Sequence, residues 1–216
     1  MTPDCAVDNL KSEYVWRSEQ PNNSHSVLLP AVRKLAQPLA ADATIADLGC
    51  GNGYILAQFR GEGRRLCGFD VSHSGIEMAT AAYPSIQFGV LDLTSDLSTH
   101  ALAGECDLVI STEVVEHVYS PRIFARNCFA LLKPGGRAII STPYHGYWKN
   151  LALAATGGMD GHFTALWDHG HIKFWSRRTL TALLEEAGFD VIHFAGVGRI
   201  PYLWKSMVIV ARRPVS

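Results

Sequence analysis

The sequence predicts a doubly wound α/β domain, and three observations carry that prediction. Short, almost wholly apolar runs alternate with amphipathic stretches, those runs lack the polar alternation of a half-exposed sheet, and the first of them ends on a cluster of glycines. AVRKLAQPLA (31–40) has helical spacing, and ATIADL (43–48) is the first β-rich run. A helix begins near Tyr54, RLCGFD (65–70) is the second strand, and SGIEMATAAY (74–83) is the helix after it. IQFGVLD (86–92) and CDLVIS (106–111) follow as strands, PRIFARNCFALLK (121–133) as a helix, and RAIIST (137–142) as a strand reached through PGG. Strands that are apolar on both faces need helices over both faces, which a parallel sheet with helical crossovers supplies.

The composition narrows the function. At 216 residues and 48% hydrophobic, the chain can bury a full core within a single domain spanning 1–216. Nineteen basic and twenty acidic residues leave a formal charge of −1, which gives no long-range attraction to nucleic acid or acidic membranes. Asp4, Asp8, Lys11, Glu13, Arg17 and Glu19 interrupt the first twenty residues, and no run reaches membrane-spanning length, so a cytoplasmic address is expected. The five cysteines form no CxxC pair, and four lie in or beside apolar segments, which predicts buried thiols rather than a disulfide or zinc frame.

DLGCGNGYI (47–55) places Gly49, Gly51 and Gly53 at the carboxyl end of the first strand. Outward-pointing amides and missing side chains there predict close approach of a ligand carboxylate or phosphate. Asp70, ending the second strand, is placed to accept hydrogen bonds from both hydroxyls of a ribose. The dinucleotide pattern G-x-G-x-x-G fails because Tyr54 stands where its third glycine belongs, which disfavours NAD. The order Asp47-Leu48-Gly49-Cys50-Gly51-Asn52-Gly53, then Asp70, then Asp92, together with LLKPGGRAIISTP (131–143), resembles the class I S-adenosylmethionine (SAM)-dependent methyltransferases.

The resemblance implies that the 49–53 turn holds the methionine part of SAM, that Asp70 and its neighbour Val71 border the ribose, and that Asp92 and Leu93 meet the adenine edge. Asp92 also reads as a surface turn with Asx bonding. It implies a seven-stranded, mostly parallel, Rossmann-like sheet with an antiparallel last strand, FDVIHFAGV (189–197) and SMVIVARR (206–213) forming that ending. Thr112 and Glu113 would border the SAM methionine. His25, near the start of the first helix, corresponds loosely to an arginine that relatives use for the SAM carboxylate, and the segment before the glycine strand (1–42) would cover the cosubstrate.

STEVVEHVYSP (111–121) follows the fourth strand, and a helical turn there would put Glu113, Glu116 and His117 on one face. Three roles stand open: His117 as the base that deprotonates a hydroxyl, the trio as ligands of Mg²⁺ or Zn²⁺, or a hydrogen-bonded brace of the loop. The E-x-x-E-H spacing resembles the ubiquinone O-methyltransferases, where a metal would suit a catechol acceptor.

Residues 143–178 read as a lid insertion with little regular structure, rich in aromatics and holding His145, His162, His169 and His171. His145 is the second candidate base, and His162, Asp168, His169 and His171 form a second, weaker ligand set that lacks paired short spacings. The expected activity is methyl transfer from SAM to a small-molecule acceptor, at a hydroxyl oxygen, with no nucleic-acid partner and no assigned metal. A SAM-binding regulatory module and a nicotinamide-dependent reductase are the alternatives, the latter weakened by the absence of an obvious Tyr-x-x-x-Lys pair.

Overall fold

The computed structural model describes residues 25–163, 165–168 and 170–215. Tyr14, Trp16 and Arg17, and the first 24 residues of the expected covering segment, lie outside them, as does His169. Seven strands form one sheet: β1 (Thr44–Leu48), β2 (Arg65–Asp70), β3 (Gln87–Val90), β4 (Cys106–Thr112), β5 (Leu132–Pro143), β6 (Asp190–Val197) and β7 (Ser206–Arg212). Their order is β3-β2-β1-β4-β5-β7-β6; the first five run parallel, and β7 pairs antiparallel with both β5 and β6. The expected mostly parallel sheet with an antiparallel last strand is the one observed.

Period-two alternation divides the core between the two faces. Val109, Ala138, Ile140, Met207 and Ile209 pack on one side beneath α4 (Pro121–Leu131) and α7 (Arg177–Glu186). Leu108, Ile110, Ile139, Val208 and Val210 pack on the other, beneath α1 (His25–Leu35) and α2 (Tyr54–Ala57). Helix α3 (His73–Ala82) lies beside β2 and β3 and is capped by Ser72, whose Oγ accepts the Gly75 N–H at 3.2 Å.

Three differences from the sequence reading have physical causes. Helix α1 stops at Leu35 instead of running on to residue 40, because Pro38 has no N–H and disfavours helical backbone at Gln37; the Arg137 guanidinium then takes up the carbonyls of Leu35, Ala36, Gln37 and Pro38. The lid insertion carries two helices, α5 (Tyr147–Ala155) and α6 (Met159–Phe163), where little regular structure is expected; the NLALAA run has strong helix propensity. Helix α7 goes unassigned in the sequence reading, although Ser176 and Thr179 form a capping box and Leu180, Leu183 and Leu184 bury one stripe.

Candidate active site

Strand β1 lies between β2 and β4, so successive connections leave its carboxyl end in opposite directions and open a crevice there. A cavity of about 1010 Å³ occupies it. The ends of β1 to β3 contribute Asp47, Gly49, Cys50, Asp70, Val71, Asp92 and Leu93 to its wall, and the end of β4 contributes Thr112, Glu113, Glu116 and His117. Gly51, Asn52, Gly53 and His145 lie outside that wall. His25 opens α1, and its side chain is outside the described residues.

The glycine turn works differently from the expectation of outward amides. The N–H groups of Gly49 and Cys50 both donate to Phe69 O, at 2.7 and 3.0 Å, and the Gly51 N–H donates to Asp70 Oδ2 at 2.8 Å. Helix α2 has only four residues, so it adds little dipole. The glycines are required by shape: Gly49, Gly51 and Gly53 have φ of 81°, 51° and 73°, and a Cβ on Gly53 would stand 2.7 Å from Phe88 Cζ. Val114 occupies the place a Cβ on Gly49 would need.

Asp70 is held by the Gly51 N–H and by the Ser72 N–H at 2.9 Å, one on each oxygen, and carboxylate oxygens accept more than one bond. Asp92 Oδ1 accepts from both Thr94 N and Thr94 Oγ1, so the Asx turn foreseen as the alternative is present while Asp92 also lines the cavity. Asn127, from α4, fixes the adjoining segment: it accepts from Leu97 N at 3.1 Å and donates to the carbonyls of Leu93 and Ser95 at 2.8 and 2.6 Å. Sequence reasoning missed Asn127, whose only signal is a polar residue on the apolar stripe of a helix.

Asp47, Glu113 and Glu116 are pushed toward their neutral forms. Burial, then the charge of Asp70, raises Asp47 to about 8, and its Oδ1 has no hydrogen-bond partner. Burial raises Glu113 to about 7, against hydrogen bonds from Ser141 Oγ (2.8 Å) and Ser206 Oγ (3.1 Å) that favour its charge. Glu113 also adopts φ 55°, an uncommon conformation for a side-chain-bearing residue, held by its N–H bonding to Ser141. Burial and then the Glu113 charge raise Glu116 well above its ordinary value, against the nearby Thr142 hydroxyl; it is 1% exposed, and neither carboxylate oxygen makes a well-formed hydrogen bond.

His117 borders the cavity from an exposed turn, with Nδ1 3.3 Å from Gly170 O. The tautomer that donates to this carbonyl keeps its lone pair on Nε2. His171 packs edge-on against His117, and burial lowers it to about 4. Ligand atoms of Glu116, His117 and His171 all lie within 4.8 Å of one another, so the third member of this cluster comes from the lid, and Glu113 is committed to serines instead. His145 is buried among His162, Phe163 and Phe174, and burial lowers it to about 4.

Fold and crevice together define a class I SAM-dependent methyltransferase architecture. A family described as a methyltransferase domain matches residues 21–194, and the chain belongs to that family. It is 30% identical over 178 residues to the ubiquinone biosynthesis O-methyltransferase of Cereibacter sphaeroides, covering 80% of this chain and 70% of that one. With the enzyme of the same name from Caulobacter vibrioides it shares 35% identity over 116 residues, covering 53% and 46%, so the chain spans about half of that relative's length. Among solved structures, a SAM-dependent methyltransferase of Methanosarcina mazei (TM-score 0.65, 19% identity, 87% and 98% covered) and the CurJ carbon methyltransferase (0.62, 18%, 87% and 53%) share the fold. SAM is the cosubstrate of the family. The atom methylated is a matter for the site, since fold alone does not choose it.

Proposed function

We propose that the chain transfers the methyl group of SAM to a hydroxyl oxygen of a small-molecule acceptor, with His117 removing the hydroxyl proton. One observation carries this reading: a single continuous cavity is walled by Gly49 and Asp70 and also by His117. The acceptor oxygen's lone pair attacks the sulfonium methyl, the carbon–sulfur pair stays on sulfur to give S-adenosylhomocysteine, and the proton goes to imidazole Nε2. The protein's work is alignment, exclusion of water by the lid, and that proton. The named O-methyltransferases among the relatives support oxygen as the acceptor atom. His145, shut in its aromatic cluster, is the weaker base.

The test is His117→Ala, assayed with labelled SAM over catechols, prenylated phenols and hydroxy acids. Turnover is expected to fall about 100-fold or more, with affinity for S-adenosylhomocysteine kept within about twofold; an unchanged rate would remove His117 from the chemistry. The unpartnered oxygens of Glu116 favour a second reading, in which Glu116, His117 and His171 hold a divalent cation. Such a cation would supply Lewis acidity toward the acceptor hydroxyl. Full activity after exhaustive dialysis against a chelator would discard it.

A further inference from the structure

Lys149 is a cation in an unfavourable place. It is the third residue of α5, at the positive end of that helix, whose first turn contains no acid. The residue is 5% exposed, and none of the ion pairs among the described residues includes it. Its ammonium donates to Tyr144 O at 2.7 Å, which leaves two of its three donors for the cavity it lines. Burial, then the neighbouring Arg199 charge, lowers it to about 8, while Glu113 works in the opposite direction. Glu113 supplies a nearby opposite charge but makes no ion pair with the ammonium, and Ser141 and Ser206 each donate to one of its oxygens. Arg199 and Lys205 border the same cavity from the β6–β7 connection, and His162 borders it from α6.

We infer that Lys149, Arg199 and Lys205 form a subsite for an anionic group of the methyl acceptor, a carboxylate or a phosphate. This rests on the methyl-transfer reading and adds the acceptor's charge to it. Topology assigns the anion to the acceptor: Lys149 follows β5, and Arg199 and Lys205 precede β7, whereas Asp47, Asp70 and Asp92 belong to the ends of β1 to β3, across β4. Glu116, buried in the same wall without a well-formed hydrogen bond, can donate to or accept from a ligand hydroxyl. A molecule that carries a hydroxyl and an anion satisfies both groups at once, which neutral catechols or hydrocarbon-tailed phenols cannot do. Lys149 is the buried member of the three, Lys205 is half-buried and Arg199 exposed, and a buried charge without an ion-pair partner is costly, so an anion bound beside Lys149 would offset that cost.

Calorimetry on the full chain saturated with S-adenosylhomocysteine provides the test, with 3,4-dihydroxybenzoate and its methyl ester as probes of equal shape and different charge. The acid is expected to bind at least tenfold more tightly than the ester. Lys149→Met and, at an exposed position where folding is not at stake, Arg199→Gln are each expected to shrink that ratio at least threefold with nucleoside affinity within twofold. Displacement of the acid by inorganic phosphate more strongly than by acetate would identify phosphate as the preferred group, and the reverse order a carboxylate. Equal affinity for acid and ester, or binding of neither, overturns the inference. Loss of S-adenosylhomocysteine binding in both variants also overturns it, by assigning the cations to the cosubstrate's own carboxylate. A wild-type chain that fails to bind S-adenosylhomocysteine overturns the methyl-transfer reading itself, and this one with it.

Discussion

Asp47→Asn gives the sharpest test of how the cosubstrate is held. The folded carboxyl titrates at about 8, against 3.8 for an ordinary aspartate, and its Oδ1 waits unpartnered in the cavity wall. The α-ammonium of SAM is the group that would partner it. At pH 7 only about one tenth of the carboxyl is ionised, so apparent affinity is reduced about tenfold if binding requires the anion. Between pH 5.5 and 7.5, log Kd for S-adenosylhomocysteine is therefore expected to fall by about one unit per pH unit, with about one proton released. Titration calorimetry in buffers of different ionisation enthalpy measures both quantities. Without ligand the sign reverses for stability: the folded chain holds a proton that the unfolded chain loses between pH 3.8 and about 8. The contribution of Asp47 to stability is greatest below that window and drops through it by about 1.4 kcal/mol per pH unit, levelling off above. Asp47→Asn should flatten both dependences. A wild-type affinity independent of pH, or the same slope in the variant, would refute the assignment of the ammonium to Asp47.

Other outcomes follow from the same geometry. Gly53→Ala combines a left-handed backbone with a Cβ 2.7 Å from Phe88 Cζ and should cost about 2–4 kcal/mol in urea unfolding. Asn127→Ala strands the N–H of Leu97 and the carbonyls of Leu93 and Ser95; a loss of about 3 kcal/mol is expected, together with weaker nucleoside binding, because Leu93 lines the cavity. Cys50, Cys67, Cys106 and Cys128 are buried, and burial raises every one of these thiols, Cys106 to about 12. A thiol reagent should leave these four unlabelled until the chain is unfolded, which peptide mass spectrometry would show.

What was legible in the sequence is what neighbouring residues encode. The strands of the sheet emerge from apolar runs because both faces are covered, and the alternation of Val109 with Leu108 and Ile110 serves two cores at once. That Asp47, Gly49 and Asp70 meet at one crevice was legible because a strand-to-turn junction leaves a short, local signature. Asn127 was not, since its value lies in bonds to residues 30 to 34 positions away. Helix α7 shows a different limit: its cap and stripe were present in the sequence, but the aromatic, histidine-rich stretch before it drew the reading.

The same distinction governs the chemistry. The E-x-x-E-H spacing left Glu113, Glu116 and His117 open as a base, a metal site or a brace, and the three line one cavity with different partners. Glu113 turns through a left-handed backbone toward Ser141 and Ser206, while Glu116 and His117 are completed by His171, more than fifty residues further on. Helical spacing can place side chains on one face of a turn, but the hydroxyls of β5 and β7 decide which of them is engaged by hydrogen bonds within the cavity wall. Lys149 makes the point from the other direction. On its helix alone it is an ordinary lysine in an apolar run, and only the tertiary fold buries it in the wall of a cavity that Arg199 and Lys205 also border. If the anion subsite holds, acceptor choice depends on residues that only the tertiary fold brings together, Lys149 from the lid with Arg199 and Lys205 before β7, which no local motif reports.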